Sequence, residues 1–139
     1  YRKDISRQES LNIRKKGAQS DFYLVSPNAI SFNGELVFFS AFGNRIAGIS
    51  YCDNVIVVSG VNKIVEDLPQ AIKRAREHAT PMNCKRLNWK AACLPDGICK
   101  ENICRFPEYN RMCCQALTVE AEASCGRLKV ILVDEDLGF

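Results

Sequence analysis

The sequence predicts an α/β domain of three layers with a mainly parallel sheet. The first observation is a continuous β-branched run in NVIVVSGV, bounded by Asp53-Asn54 and Gly60, which is typical of a strand inside a parallel sheet. The second is the segment that follows, NKIVEDLPQAIKRAREHATP, whose apolar residues recur on one helical face. The third is the order strand, helix, strand, helix, irregular insertion and paired C-terminal strands.

Length and composition agree with a single domain. The chain has 139 residues, of which 47% are hydrophobic and 25% charged, so we interpret residues 1–139 as one domain. The first residue is Tyr1 rather than methionine, which we interpret as a sign of N-terminal truncation. A net charge of +3 gives no argument for nucleic acid or a membrane surface. Without a signal peptide or a long apolar run, we expect a cytoplasmic protein.

The N-terminal elements are predicted from local signals. Residues 1–19 are rich in basic side chains and predict a solvated helix that Gly17 terminates as a C-cap. The segment DFYLVSPNAIS predicts a strand that runs into a turn. Asn33-Gly34, between AISF and ELVFF, predicts a β-hairpin with a type I′ turn.

A short helix is predicted in AFGNRIAGISY, before the NVIVVSGV strand, which we expect to be buried on both faces. The next helix should begin near Asp67, because Pro69 fits only a first turn. Thr80-Pro81 should end it, and MNCKRLNW adds a separate helical turn or two. At the C-terminus QALTVEAEA and RLKVILVDED predict two strands that pair through a turn at Cys125-Gly126.

A cysteine-rich loop occupies residues 91–114. Its spacing is Cys93-x5-Cys99-x4-Cys104-x8-Cys113, with Cys114 adjacent. No Cys-x-x-Cys step occurs, so the standard zinc-ribbon and ferredoxin spacings are absent. The first four thiols are candidate ligands of zinc or an iron–sulfur cluster, while disulfides and simple burial are the alternatives.

The remaining titratable groups have plainer interpretations. Cys52 and Cys84 stand alone in the sequence and are predicted to be small buried apolar residues. His78, the single histidine, is expected at the surface of a charged helix. The acidic run 134–136 is expected to be a solvated strand end. There is no Gly-x-Gly, so no nucleotide-binding motif is present in this portion.

Two polar tripeptides are candidates for ligand binding. Gly43-Asn44-Arg45 stands at a predicted helix start, and Val61-Asn62-Lys63 follows a predicted buried strand. In open α/β sheets, ligands bind beyond the carboxyl ends of the strands. Asn44, Arg45, Asn62 and Lys63 could therefore hold a carboxylate or phosphate, although helix capping and ordinary ion pairing remain the alternative.

Four segments together resemble one family. They are SDFYLVSPNAISFNGELV, GNRIAGISY, VIVVSGVNKIVEDLPQAIKRAREHATPMNCKRL and GRLKVILVDEDLGF, and from about Asp21 to Phe139 they resemble the LUD domain of lactate-utilisation proteins. The resemblance implies a fold similar to the sugar-isomerase and CoA-transferase superfamily. It also implies a role in bacterial oxidation of lactate beside iron–sulfur redox subunits, with catalytic residues unknown. The positions that match the family's polar motifs are Asn28, Gly43, Asn44, Arg45, Gly60, Asn62 and Lys63.

One branch of that family carries a cysteine-rich stretch ending in Arg-x-Cys, which Cys93, Cys99, Cys104 and Arg111-x-Cys113 resemble. The branch pattern has a Cys-x-x-Cys step that is absent here. We therefore expect a LUD-like protein of lactate or organic-acid utilisation that binds a small anion at the end of its sheet, with a cysteine-ligated metal. The alternatives are a non-catalytic metal- or partner-binding module, and a transferase or isomerase by fold analogy. Enzymatic activity and oligomeric state are left open.

Overall fold

The computed structural model describes residues 5–139, so the first four residues of the predicted 1–19 helix lie outside the described part. The helices are α1 Arg7–Gly17, α2 Asn44–Tyr51, α3 Leu68–Arg74 and α4 Thr80–Leu87, with a 3₁₀ turn at Val61–Lys63 and a π turn at Ala75–Ala79. The strands are β1 Phe22–Val25, β2 Ala29–Ser31, β3 Leu36–Ser40, β4 Asn54–Gly60, β5 Ile64–Val65, β6 Gln115–Val119 and β7 Leu128–Val133. None of the described helices has both the length and the apolar character needed to cross a membrane.

The strands form two sheets, and the α/β class is confirmed. One sheet has the order β1-β4-β7 and is wholly parallel; the other has the order β5-β2-β3-β6 and is mixed. Residues of β2 and β3 alternate between two cores, as the period of two in a strand requires. One core contains Ile30, Leu36 and Phe38 with residues of β1, α2 and β4; the other contains Ala29, Val37 and Phe39 with residues of α3 and the π turn.

The prediction of a C-terminal strand pair is wrong, although both strands form. β6 is antiparallel to β3, with Leu36 opposite Val119. β7 is parallel to β4, with Gly60 opposite Val133. Each strand thus extends a different sheet, a partnership set by the tertiary fold and not by the turn at Cys125-Gly126.

The central strand β4 is buried on one face only, which corrects the expectation of burial on both. Val55 and Val57 are fully buried, while Ile56 and Val58, which alternate with them, are partly exposed. Next to Ile56 in the register lies Leu24, which is 71% exposed. The outer face of the three-stranded sheet is therefore apolar and open in the described part of the chain.

The hairpin between β2 and β3 is confirmed, but the type I′ turn is wrong. Gly34 has φ 97°, whereas Asn33 does not adopt a positive φ. The Gly34 amide donates to the carbonyl of Ser31 over 3.0 Å. A single left-handed residue closes this turn, which is the geometry of a longer hairpin loop.

Helix α1 begins one residue after Ser6, which forms a capping box with Glu9. Gly17 is the last helical residue, and the C-cap is Ala18 in right-handed conformation, so the predicted C-cap is off by one position. Backbone N–H groups at the first turn are satisfied by the two capping side chains.

The helix that starts after the N-cap Asp67 does not end at Thr80-Pro81, which corrects that prediction. It passes through the π turn and continues as α4, ending at Leu87. Thr80 donates its backbone N–H and its hydroxyl to the carbonyl of Ala75. This widened turn accommodates Pro81, which in a regular helix would clash with a carbonyl four residues earlier.

Candidate functional site

Three cationic side chains converge on the segment Ser26–Asn28 between β1 and β2, and we call Arg45, Lys63 and Arg74 the cationic cluster. Arg45 is the second residue of α2, and its guanidinium lies over the Phe38 ring of β3. Its guanidinium donates to the Asn28 side-chain oxygen at 3.0 Å, to the Phe39 carbonyl at 2.9 Å and to the Ser26 carbonyl. These bonds hold the charge in a fixed position.

Lys63 ends the 3₁₀ turn after β4 and is only 5% exposed. Its ammonium donates to the Ser26 hydroxyl at 2.8 Å and to the Pro27 carbonyl at 3.4 Å. Arg74, the last residue of α3, donates to the Asn28 carbonyl at 2.6 Å and to the Asn62 carbonyl at 3.0 Å. All three cations therefore bind neutral oxygen atoms of the same chain segment.

The cationic cluster lacks a negative partner within residues 5–139, because none of their aspartates or glutamates forms an ion pair with it. Burial lowers the pKa of Arg45 and of Arg74. Burial also lowers the pKa of Lys63, and the charges of Arg74 and Arg45 lower it further. Buried charges are normally paired, so the cluster holds positive charge in excess.

The structure gives several predicted binding residues a clear positioning role. The Asn28 side chain accepts from Arg45 and from the Phe39 amide. The Asn62 side chain donates to the Gly138 carbonyl at 3.0 Å and accepts from the Leu137 amide at 3.2 Å. The C-terminal segment is thus fastened beside Lys63, where a Cβ on Gly138 would lie 3.6 Å from the ammonium nitrogen.

Gly60, Gly43 and Asn44 lie around the cluster without joining it. A side chain on Gly60 would collide with the backbone at Glu135, so this glycine allows the C-terminal segment to approach. Gly43 is the N-cap of α2 with φ 76°, a conformation that favours glycine. The Asn44 carbonyl accepts from the Tyr23 hydroxyl at 3.4 Å.

Sequence reasoning did not identify Arg74 or Ser26. Arg74 stands among basic residues near the end of its predicted helix, and nothing in the local sequence shows that it reaches back to Asn28. Its position at the end of α3, beside the polar Asn62-Lys63 pair, is the only sequence signal that could have indicated it.

A second candidate site lies where α4 meets the cysteine-rich loop. Five cysteines line one cavity of about 10 Å³: Cys84, Cys93, Cys99, Cys104 and Cys113. This volume is close to that of a single water-sized sphere. The loop brings together all four predicted metal ligands and adds a fifth thiol from the helix.

Cys84 is fully buried, as predicted, but it is not isolated. Burial raises the pKa of its thiol, and the neighbouring thiols of Cys93, Cys113 and Cys104 raise it further. The view of Cys84 as a mere space-filling residue is therefore incomplete. Its place in the cavity is set by the continuation of the helix past Pro81, which the sequence analysis had not predicted.

Two arginines provide donors at the cavity. The Arg111 Nε–H donates to the Cys113 sulfur at 3.3 Å. The Arg76 Nε is buried and has no hydrogen-bond partner, although the rest of that guanidinium pairs with Glu101 at 3.1 Å. Buried donors without a partner are costly. The same guanidinium also lies over the Phe39 ring, with its Cζ 5.6 Å from the ring centre.

All eight cysteines are free thiols, and Cys114 and Cys125 are exposed. Among residues 5–139, no three His, Cys, Asp or Glu side chains are already arranged to hold a metal ion. The donor set is nevertheless the type that soft metals require, since thiolates select zinc and iron. Ligation would need the thiols to rotate towards the cavity.

The remaining titratable groups agree with their plain interpretations. His78 is exposed on the π turn, and the side chains of residues 134–136 are exposed after β7. Cys52 is buried in the core between the sheets, where its thiol donates to the Ala18 carbonyl at 3.4 Å.

Comparison with known proteins gives one match. A protein-family model described as the LUD domain matches residues 1–133, which is nearly the whole chain. No curated protein and no solved structure matches it. The family match agrees with the four resembling segments and with the α/β fold.

Proposed function

This chain belongs to the LUD domain family, and on that premise we propose that it serves lactate or organic-acid utilisation by binding a small carboxylate at the cationic cluster. The observation that carries the proposal is the excess charge of Arg45, Lys63 and Arg74, which no carboxylate of residues 5–139 neutralises. A bound carboxylate would supply the missing counter-charge.

The chemistry of the cluster suits a planar carboxylate. Arginine presents a rigid fork of N–H donors that matches carboxylate oxygens, and lysine contributes a point charge. The neutral oxygens that now hold these cations fix their positions before a ligand arrives, which lowers the entropy cost of binding. Arg74 retains the most N–H donors for a ligand, because it has two acceptors of its own, whereas Arg45 has three.

Thermal shift with L-lactate and pyruvate tests this proposal. At constant ionic strength, with chloride as the reference anion, either carboxylate should raise the melting temperature, because a ligand that binds only the folded state stabilises it. The shift should vanish in Lys63→Met and in Arg74→Met. It should persist in Arg105→Met, a matched control on an exposed side chain of the loop. Absence of any shift, or its survival in both cluster variants, would refute the proposal.

A second candidate function is a cysteine-ligated metal site, either zinc or an iron–sulfur cluster. Its support is the convergence of five thiols on one cavity together with the unpartnered Arg76 Nε, which a thiolate or sulfide would satisfy. Such a metal would link the cysteine-rich loop to α4. If the metal is an iron–sulfur cluster, iron–sulfur redox subunits would be the expected partners. Metal analysis and visible absorption of anaerobically purified protein test it; protein without zinc or iron would contradict it.

A further inference from the structure

We infer that Cys84 is a metal ligand, and that the site is a tetrathiolate of Cys84, Cys93, Cys104 and Cys113 with Cys99 outside it. This deepens the cysteine-ligated site proposed above and depends on it. It differs from the four ligands predicted from the spacing, because it replaces one loop thiol with a helix thiol.

Burial separates Cys84 from Cys99. Cys84 is fully buried, and Cys93 and Cys104 are each 7% exposed, whereas Cys99 is partly exposed in the loop. Cys84, Cys93 and Cys104 also share one packed cluster with Ala91 and Ala92. The three most enclosed thiols of the cavity therefore lie in one packed cluster, and Cys84 is one of them.

The fourth sulfur is that of Cys113. Cys113 is partly exposed, as Cys99 is, but it lines the cavity with Cys84 and its sulfur already accepts a hydrogen bond from the Arg111 Nε–H. The Cys104 sulfur likewise accepts from the Ala92 amide at 3.5 Å. N–H donors directed at sulfur are what a ligating thiolate requires from its surroundings.

Helix geometry places Cys84 at the cavity. Thr80 and Cys84 are four residues apart on α4, so they lie on the same helical face. Both line the cavity together with Arg76 of the π turn. The continuous helix thus presents a cation with an unpartnered Nε–H and a thiol to the same small space, across from the loop.

The charge of the ligated site is partly offset by two arginines. Binding of a divalent ion by four thiols releases four protons to solvent and leaves a net charge of −2 on the metal and its sulfurs. Arg76 and Arg111 flank the cavity, and they share a single acid, Glu101, at 3.1 and 3.7 Å. One positive charge therefore remains beside the thiolates, and the Arg76 Nε–H gains an acceptor.

The test uses Co²⁺ as a probe on the full chain purified anaerobically, because its visible absorption reports tetrahedral thiolate ligation. Cys99→Ala should bind one Co²⁺ with the wild-type spectrum. Cys84→Ala should lose affinity by at least about 100-fold, since even changes to groups beyond the ligands cost 10–100-fold. If Cys99→Ala instead lost Co²⁺ affinity while Cys84→Ala kept it, the ligands would be the four loop cysteines. The proposed metal site would then stand, and this inference would be overturned.

A second variant avoids any folding defect caused by changing a buried cysteine. In Cys99→Ala/Cys114→Ala, the cavity keeps only four thiols, one of which is Cys84. X-ray absorption of the Zn²⁺ form should then count four sulfurs, and a count of three would overturn the inference. Wild-type protein that binds neither Zn²⁺ nor Co²⁺ would remove both this inference and the proposed metal site.

Discussion

The cationic cluster and the cysteine cavity share the continuous helix of α3 and α4 but are built in contrasting ways. The helix contributes Arg74 to the cluster and Arg76, Thr80 and Cys84 to the cavity. In the cationic cluster, every cation has neutral oxygen acceptors that fix it, and charge is what is missing. In the cysteine cavity, the arginine charges are present, while the buried Arg76 Nε has no acceptor and the five lining cysteines are free thiols.

The contrast teaches that preorganisation takes two forms in one small domain. Hydrogen bonds to carbonyls hold the cluster rigid, so a ligand has only to supply charge. The cavity instead depends on an irregular loop, residues 91–114, whose backbone is held mainly by turns. We therefore expect changes in the cluster to alter stability directly, and changes in the cavity to act mainly through ligation.

The largest effect is expected for Arg45→Met. It would leave the Ser26 and Phe39 carbonyls without the donor that now satisfies them, which should lower the free energy of unfolding by about 3 kcal/mol. Urea denaturation measures this. Arg105→Met is the control and should stay within about 0.5 kcal/mol of the wild type. If Arg45→Met lowered the free energy of unfolding as little as Arg105→Met does, the cluster would not be a rigid support of the fold.

The second-largest loss of stability is expected for Gly60→Ala, which affects the C-terminal segment beside the cationic cluster. In Gly60→Ala the new Cβ would collide with the backbone at Glu135, so we expect a loss of about 2 kcal/mol. Earlier cleavage of the C-terminal residues by carboxypeptidase should accompany it. Gly17→Ala is the control, because nothing lies within 4 Å of its added Cβ; a comparable loss there would contradict the explanation.

A smaller effect is expected in the pH dependence of stability. The pKa of Lys63 is lowered from 10.5 by burial and by Arg74 and Arg45, so the folded state binds fewer protons than the unfolded state between the two values. Stability should therefore rise with pH across that window. Lys63→Met should give a flatter curve in urea midpoints measured from neutral pH to about 10. Parallel curves for the variant and the wild type would show that Lys63 does not contribute to the pH dependence of stability.

The smallest effect is expected for alkylation of the metal-free protein, which should leave the fold intact. Iodoacetamide should first label Cys114 and Cys125, which are exposed, while Cys84 should react only in denaturant. Peptide mass spectrometry measures the order. Early labelling of Cys84 would mean that the cavity opens readily and would weaken the contrast with the rigid cluster.

Local signals were enough to predict much of the fold. Strand β4 followed from its β-branched run, and the start of α3 at Asp67 followed from an N-cap and a proline in the first turn. The partners of β6 and β7 were missed because strand pairing depends on sheets assembled from distant segments. The helix through Pro81 was missed because a π turn depends on one carbonyl, that of Ala75.

The residues of the two candidate sites also divide into those that the local sequence indicates and those that it does not. Arg45 and Lys63 were suggested by their places at helix and strand ends, and the four loop cysteines by their density. Arg74 and Cys84 were not, because each reaches its site from a helix whose direction only the folded chain defines.

The π turn at Ala75–Ala79 changes the rotation of α4 relative to α3 within one continuous helix. Each residue turns an α-helix by about 100°, and a π turn holds roughly one residue more than an α turn. Arg74 precedes this turn and faces the cationic cluster, whereas Thr80 and Cys84 follow it and face the cavity. Deleting one residue from this turn would rotate α4 relative to α3. The turn therefore sets the directions in which the helix side chains of the two sites point.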